Sequence, residues 1–599
     1  MKTESFVRFR FMAVSLSLIA ALLVAQLVRI QVSANTRSMR EETRKTFEDG
    51  KQVLYPERGN IYDRWGHLLA GNKEMYQLGI DLRYVISPVT IASTLASVAG
   101  MDYNVVYSKA STKYDPSSAV YIDLRTTITP EEATKLETLQ TSLEQKAGKV
   151  KEGQEYPSLQ GLVWTPILQR SYPEGSLASN LVGAYTFLDR DGNRDLGQGI
   201  YGVEAYYNDI LAGQPVIVDF SLDPNKARKL PNVPPGASLI LTIDTQIQGM
   251  VEKVLDESVK STQSDSGTII VLDPTTGEIL AMASTPRMDP NKYWEFQKVF
   301  HDGTETNRAV SQMYEPGSVF KVLTMATGLD TGTVNPDTVY LDRGTIEVGG
   351  ISITNWDFLA HGPQTMQGCM QLSLNVCLAW VATQIGEKDF YAYMDKFGIG
   401  RMTNIDLSGE VDWPVLLPGQ PGWTPFSLGS NSYGQGVNIT PIQLASAISA
   451  VANHGEMMAP HILKAIVANG RQEDRPLRSL GNPISTKTAE AMTDMLAKSV
   501  ESESYQNAHV EGYRIAGKTG TASISVGKLG YITNLTNASF VGWGPIDDPQ
   551  FLVYVWLEKP KTNQWGSLVA SPVFAEVVRQ LVVFMNIPPD DVRAKLKGQ

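Results

Sequence analysis

The stretch Glu315-Pro316-Gly317-Ser318-Val319-Phe320-Lys321-Val322-Leu323-Thr324-Met325-Ala326 punctuates the chain with proline and glycine and then runs apolar, the pattern of a helix start with Ser318 in its first turn. Three-residue spacing puts Ser318 and Lys321 on one helical face, about 5–6 Å apart at Cβ, so the amine can reach the hydroxyl. A serine needs a base to become a nucleophile. Lysine serves when burial depresses its pKa, and the helix N-terminus offers backbone N–H groups to a developing oxyanion. The four-residue pattern alone discriminates little, because Ser525-Val526-Gly527-Lys528 repeats it.

Two further segments make the pattern specific by their order. Ser373-Leu374-Asn375 lies within the apolar stretch Met370 to Ala382, which reads as a helix. Lys518-Thr519-Gly520-Thr521-Ala522 follows the strand-like run Tyr513 to Ala516 and reads as a turn at its end. A strand edge there can hydrogen-bond an extended peptide, Lys518 and the threonine hydroxyls can hold a carboxylate, and Gly520 lets backbone approach substrate. Around these segments, Thr268 to Leu272 and Glu278 to Ala283 flank the turn Asp273-Pro274-Thr275-Thr276-Gly277, a hairpin signal, and Ala538 to Trp543 and Phe551 to Leu557 are strand-like. The expected class is α/β (α+β). It comprises an antiparallel five-stranded sheet flanked by helices, a long helical insertion between about 290 and 500, and a closing helix from about Pro572 to Met585.

With 599 residues the chain exceeds one core and is expected to form several domains. Lys plus Arg total 52 against 63 for Asp plus Glu, a net charge of −11 spread without blocks, which disfavours nucleic acid as a partner. The two cysteines, Cys369 and Cys377, would lie roughly 12 Å apart on a continuous helix, too far for a disulfide, so both are expected as free buried thiols.

Phe11 to Val28 carries no charge, and at 1.5 Å per residue it approaches the roughly 30 Å hydrocarbon core. It exceeds the apolar length of a cleavable signal and is followed by Arg29, which favours a retained anchor. The expected organisation is a cytoplasmic tail over 1–10, a transmembrane anchor over 11–32, a stalk and mixed α/β pedestal domain over 33–234, and a catalytic domain over 235–599. The last would be held outside the plasma membrane on a single pass. Arg58 to Ala70 reads as a hairpin closed at Gly66, and dense punctuation from Pro231 to Gly236 marks the second boundary.

Ser-x-x-Lys, Ser-x-Asn and Lys-Thr-Gly in this order resemble the signature of penicillin-binding proteins. Arg58-Gly59-Asn60-Ile61-Tyr62-Asp63-Arg64, Gly199-Ile200-Tyr201-Gly202-Val203-Glu204, Asn307-Arg308 and Tyr433-Gly434-Gln435-Gly436 also resemble stretches of the class B members, FtsI-type D,D-transpeptidases above all. The resemblance spans nearly the whole chain. It implies that Ser318 attacks the penultimate D-alanine of a peptidoglycan stem peptide, that Lys321 takes its proton, that Ser373 relays a proton to the leaving D-alanine and that Asn375 orients Lys321 and substrate. Lys518, Thr519, Gly520 and Thr521 would bind the terminal carboxylate, with the Ser318 and Thr521 N–H groups as oxyanion hole. It further implies no metal or cofactor, β-lactams as covalent inhibitors, a dimerisation-like pedestal, and an FtsW-type glycan polymerase and division proteins as partners. The asparagine in Ser373-Leu374-Asn375 leans toward septal rather than lateral-wall synthesis. A β-lactamase or a noncatalytic scaffold fits less well, the first because of the anchor and pedestal, the second because all three motifs are intact.

Overall fold

The computed structural model describes residues 50–115, 120–147, 156–187, 197–220, 232–301, 306–525 and 530–597, with Leu23 and Gln26. Apart from those two residues, the expected anchor and cytoplasmic tail lie outside the described residues, as does the stalk up to Asp49. Among the described residues, those within 50–58 and 212–236 form one compact unit and those within 59–211 and 237–597 another. In the first, strands Gly50–Leu54 and Val216–Phe220 pair antiparallel.

In the larger unit, the expected five-stranded antiparallel sheet is present. Its strands are β1 (Ser266–Leu272), β2 (Ile279–Ser284), β3 (Ala516–Ser525), β4 (Tyr531–Gly544) and β5 (Phe551–Glu558), in the order β2-β1-β5-β4-β3. β5 is buried from Phe551 to Leu557 instead of alternating, because helices cover both faces of the sheet. On one face pack α1 (Thr245–Thr262) and α6 (Ser571–Phe584), the latter setting Phe574 against Phe540 with ring centroids 4.5 Å apart. On the other lies α5 (Pro441–Ala452), buried along its whole length, and Tyr314 stacks on Trp556 at 4.6 Å. The apolar helical stretch Gly566–Phe584 is long enough to cross a membrane, yet Phe574, Val577, Val578 and Leu581 are fully buried against this sheet, which makes it a core element.

A second sheet joins segments far apart in sequence. The hairpin expected at Arg58 to Ala70 forms, with Ile61 opposite Ala70. Its first strand, Ile61–Tyr62, pairs parallel with Ser238–Leu241, which in turn pairs with Leu463–Ala468. Strands from before and after residue 235 therefore share one sheet. Buried polar contacts lock the same junction. Asp63 accepts from the Thr245 hydroxyl at 2.6 Å, Arg170 donates to Glu204 at 2.6 Å and to the Gly59 carbonyl at 2.8 Å, and Asp406 accepts from Tyr207 at 2.8 Å and from the Ile462 and Leu463 amides. Several stretches that carried the family resemblance thus serve the junction.

Two local expectations differ from the structure. Lys518 to Thr521 is not a turn but the middle of β3, because pairing with β4 continues in register from Ala516 to Ser523. Met370 to Ala382 is not one helix. It breaks between α3 (Met366–Gln371) and α4 (Asn375–Ile385), where Ser373 adopts φ +57°. That left-handed residue turns the chain back on itself, brings the Cys369 and Cys377 Cα atoms to 6.1 Å and allows a disulfide, so the expectation of free thiols is wrong.

Candidate active site

Ser318 lies in a tight helical turn, Gly317–Phe320, that runs directly into α2 (Lys321–Asp330). Side chains three residues apart nearly eclipse in such a turn, so Ser318 and Lys321 share a face as the spacing required. The turn is pressed against β3, the edge strand of the sheet. A Cβ added to Gly520 would sit 2.7 Å from a Val319 methyl, and one added to Gly317 would sit 2.9 Å from the Thr521 carbonyl. Glycine is needed on both sides for this approach, and Gly317 also has φ +59°. Gly434 closes the turn from behind. Its carbonyl accepts from Gly317 N–H at 3.1 Å, and its own Cβ position would fall 2.3 Å from the Gly317 carbonyl.

Lys321 is completely buried. Its amine donates to the Ser373 carbonyl and to Asn375 Oδ1, each at 2.7 Å, and meets Ser373 Oγ at 3.2 Å. Burial pushes its pKa well below the ordinary lysine value, and the charge of Lys518 pushes in the same direction. Lys518, also fully buried, reaches Ser373 Oγ at 2.9 Å and the Thr519 carbonyl and hydroxyl at 3.1 and 3.3 Å. The Ser373 hydroxyl therefore stands between two amines. Asn375 is fixed by donating its Nδ2 to the Thr354 carbonyl at 3.1 Å, while Leu374, fully buried, contributes packing.

Thr521 Oγ1 accepts from the Gly566 N–H at 2.9 Å, which leaves its own hydroxyl proton to donate elsewhere. The outer edge of β3 has no partner strand among the described residues, so an extended peptide can add there. Hydrogen bonds join Lys321, Ser373, Asn375, Lys518 and Thr519, and the close approach of backbones adds Ser318, Gly520 and Thr521. Sequence reasoning missed the disulfide and Trp356, whose indole donates to the Leu372 carbonyl at 3.1 Å just ahead of Ser373. Two cysteines flanking a Ser-x-Asn segment were the available signal for the first; a lone tryptophan offered none for the second.

A serine on a helix start, a buried lysine on the same face, a serine–asparagine pair and a lysine–threonine edge strand form the constellation of a penicillin-recognising serine acyltransferase. The chain belongs to the penicillin-binding protein family: residues 267–579 match the penicillin-binding protein transpeptidase domain and residues 53–233 the penicillin-binding protein dimerisation domain. Stage V sporulation protein D of Bacillus subtilis is 33% identical over 91% of this chain and 81% of its own length. Peptidoglycan D,D-transpeptidase FtsI of Buchnera aphidicola is 26% identical over 98% of this chain and 97% of its own. Among solved structures, penicillin-binding protein 3 of Mycobacterium tuberculosis in complex with aztreonam superposes with a TM-score of 0.66 at 24% identity, covering 90% of this chain and 98% of that one.

Proposed function

We propose that this chain is a peptidoglycan D,D-transpeptidase that crosslinks stem peptides through an acyl-enzyme on Ser318. The observation that carries the reading is the state of Lys321: buried, its pKa lowered, and held by Ser373 and Asn375 on the face it shares with Ser318. As a neutral amine it needs two donors for those 2.7 Å contacts, which leaves a lone pair to take a hydroxyl proton. Ser318 Oγ attacks the penultimate D-alanine carbonyl, and the Ser318 and Thr521 N–H groups receive the oxyanion. The Ser373 hydroxyl, between the Lys321 and Lys518 amines, passes a proton to the departing D-alanine nitrogen. Lys518, Thr519 and Thr521 hold the carboxylate of that residue against β3. An amine from a second stem peptide then takes the acyl group. β-Lactams, which present a similar carbonyl and carboxylate, acylate the same serine.

The transmembrane segment over 11–32, built on the apolar run Phe11 to Val28, anchors the chain with residues 1–10 on the cytoplasmic side and the domain over 235–599 outside the plasma membrane. The domain over 33–234 is a pedestal. The resemblance to FtsI-type proteins supports a septal role beside an FtsW-type glycan polymerase and other division proteins, and a fluorescent fusion that marks the lateral wall instead of the septum would overturn that part. The chemistry is tested by mass spectrometry of protein labelled with a fluorescent penicillin. The adduct is expected on the peptide containing Ser318 and is lost in Ser318→Ala; an adduct on any other residue would remove Ser318 as nucleophile.

A further inference from the structure

Helix α4 begins without a cap of its own. Its N-cap position is Leu374, whose side chain offers no oxygen to the N–H groups of the first turn. The first bond inside the helix, from the Leu378 N–H to the Leu374 carbonyl, is long at 3.4 Å. Yet the first residue of that turn is Asn375, whose Oδ1 accepts from the Lys321 amine at 2.7 Å. A helix start that frays would carry this amide away from the lysine.

The missing cap comes from another segment. Asn355 Oδ1 accepts from the Val376 N–H at 3.2 Å, the contact that a capping side chain makes with the second residue of a helix. Its neighbours act on the same stretch. The Thr354 carbonyl accepts from Asn375 Nδ2 at 3.1 Å, and the Trp356 indole donates to the Leu372 carbonyl at 3.1 Å. Three consecutive residues thus grip the chain just before Ser373, at the Asn375 side chain and one residue beyond it.

Asp342 fixes which way the Asn355 amide points. Both residues are buried. Asn355 Nδ2 donates to Asp342 Oδ2 at 2.7 Å and to the Leu359 carbonyl at 3.1 Å, so the nitrogen end faces two acceptors and the oxygen end is left for Val376. The carboxylate is held in turn by the Gly344 N–H on Oδ1 at 2.9 Å and the His361 N–H on Oδ2 at 3.1 Å. An asparagine at 342 would set an amide NH2 against one of these donors, so two acceptor oxygens are what this position needs.

We propose that Asn355, oriented by Asp342, is a positioning residue for acylation: it caps α4 from outside the helix and so keeps Asn375 Oδ1 on the Lys321 amine. The role rests on the transpeptidase reading. A cap supplied from 21 residues upstream also accounts for the apolar residue at 374, whose side chain is released from capping and is fully buried.

The test is a double-mutant cycle on full-length protein, reading the limiting rate of acylation by a fluorescent penicillin and, in parallel, stability in chemical denaturation. Asn355→Ala is expected to slow acylation about tenfold, the loss of a helix cap expressed as a rate. In an Asn375→Ala background the amide to be positioned is gone, and the same change is expected to slow acylation by no more than about twofold. Stability should fall in both backgrounds. A side chain that merely supports the fold would slow both backgrounds alike. Asp342→Asn is nearly isosteric and acts one step further back; it is expected to slow acylation about threefold, and this effect too should vanish without Asn375. Equal slowing in the two backgrounds, or no slowing where Asn375 is present, overturns the proposal, and Asp342→Asn decides it even if Asn355→Ala does not fold. Failure of wild type to form the Ser318 acyl-enzyme sinks the transpeptidase reading itself, whereas a Ser318 acyl-enzyme whose rates are additive across the cycle sinks only this inference.

Discussion

Lys518 to Thr521 sit in a strand whose pairing with β4 runs unbroken from Ala516 to Ser523, whereas Ser373 sits in a break between two helices, at φ +57°, inside a loop closed by a disulfide. The strand carries Lys518 and the break aims Ser373 at both Lys518 and Lys321, but the two segments are held differently. The strand is fixed by a repeated ladder in which no single bond decides the position. The break depends on a few particular contacts: the disulfide, the Leu374 N–H to the Cys369 carbonyl at 3.0 Å, and the Trp356 indole on the Leu372 carbonyl. Chemistry that needs a hydroxyl and an amide aimed at one lysine is thus built on the less redundant of the two supports.

The largest effect is expected where the two supports meet. Lys321→Ala removes the proposed base and its hydrogen bonds to Ser373 and Asn375, and the penicillin acylation rate should fall about 10²–10⁴-fold while binding before acylation persists. In wild type, acylation should rise with pH as Lys321 loses its proton and then level off. Because burial and the Lys518 charge lower that pKa, the rise belongs below the ordinary lysine range. Stopped-flow acylation across pH measures it, and a rise centred at ordinary lysine values would show that the amine is not buried in the working enzyme.

A smaller effect separates the break from the strand. The disulfide closes a loop of eight residues, for which chain entropy predicts about 2–3 kcal/mol of stabilisation. Cys369→Ser with Cys377→Ser should lose about that much in chemical denaturation and slow acylation as well, since Ser373 and Asn375 lie between the two cysteines. Ser523→Ala on β3 should stay within about 0.5 kcal/mol and leave acylation unchanged. If both variants behaved alike, the break would be no more fragile than the strand.

The same contrast explains what could be read in advance. β1, β2, β4, β5 and the closing helix α6 were legible because their signals are local: β-branched runs, turn residues at Asp273 to Gly277, and helical periodicity after Pro572. Ser318 and Lys321 were legible only together with the later Ser373-Leu374-Asn375 and Lys518-Thr519-Gly520 segments, since Ser525-Val526-Gly527-Lys528 repeats their spacing. The continuation of β3 through Lys518 to Ser525 was not, since Gly517 and Gly520 argue locally for a turn and only the ladder with β4 overrides them. The break at Ser373 was hidden for a deeper reason. Gln371-Leu372-Ser373-Leu374 holds neither glycine nor proline, so the positive φ comes from tertiary contacts, and with the helix read as continuous the two cysteines seemed too far apart to join.

The finest test addresses that backbone directly. A residue with a Cβ at φ +57° carries a cost of about 1 kcal/mol that glycine escapes. Ser373→Ala and Ser373→Gly both delete the hydroxyl that stands between Lys321 and Lys518, so both should lose acylation to the same degree. Their stabilities should differ in the direction opposite to a helix interior, with glycine the more stable by about 1 kcal/mol where a continuous helix would favour alanine by a similar amount. Denaturation of the two variants reads the difference free of the hydroxyl. A glycine variant less stable than the alanine one would mean that residue 373 relaxes into helix once its hydroxyl is gone, and that the contacts of the hydroxyl with the two lysines, not the disulfide, hold the break open.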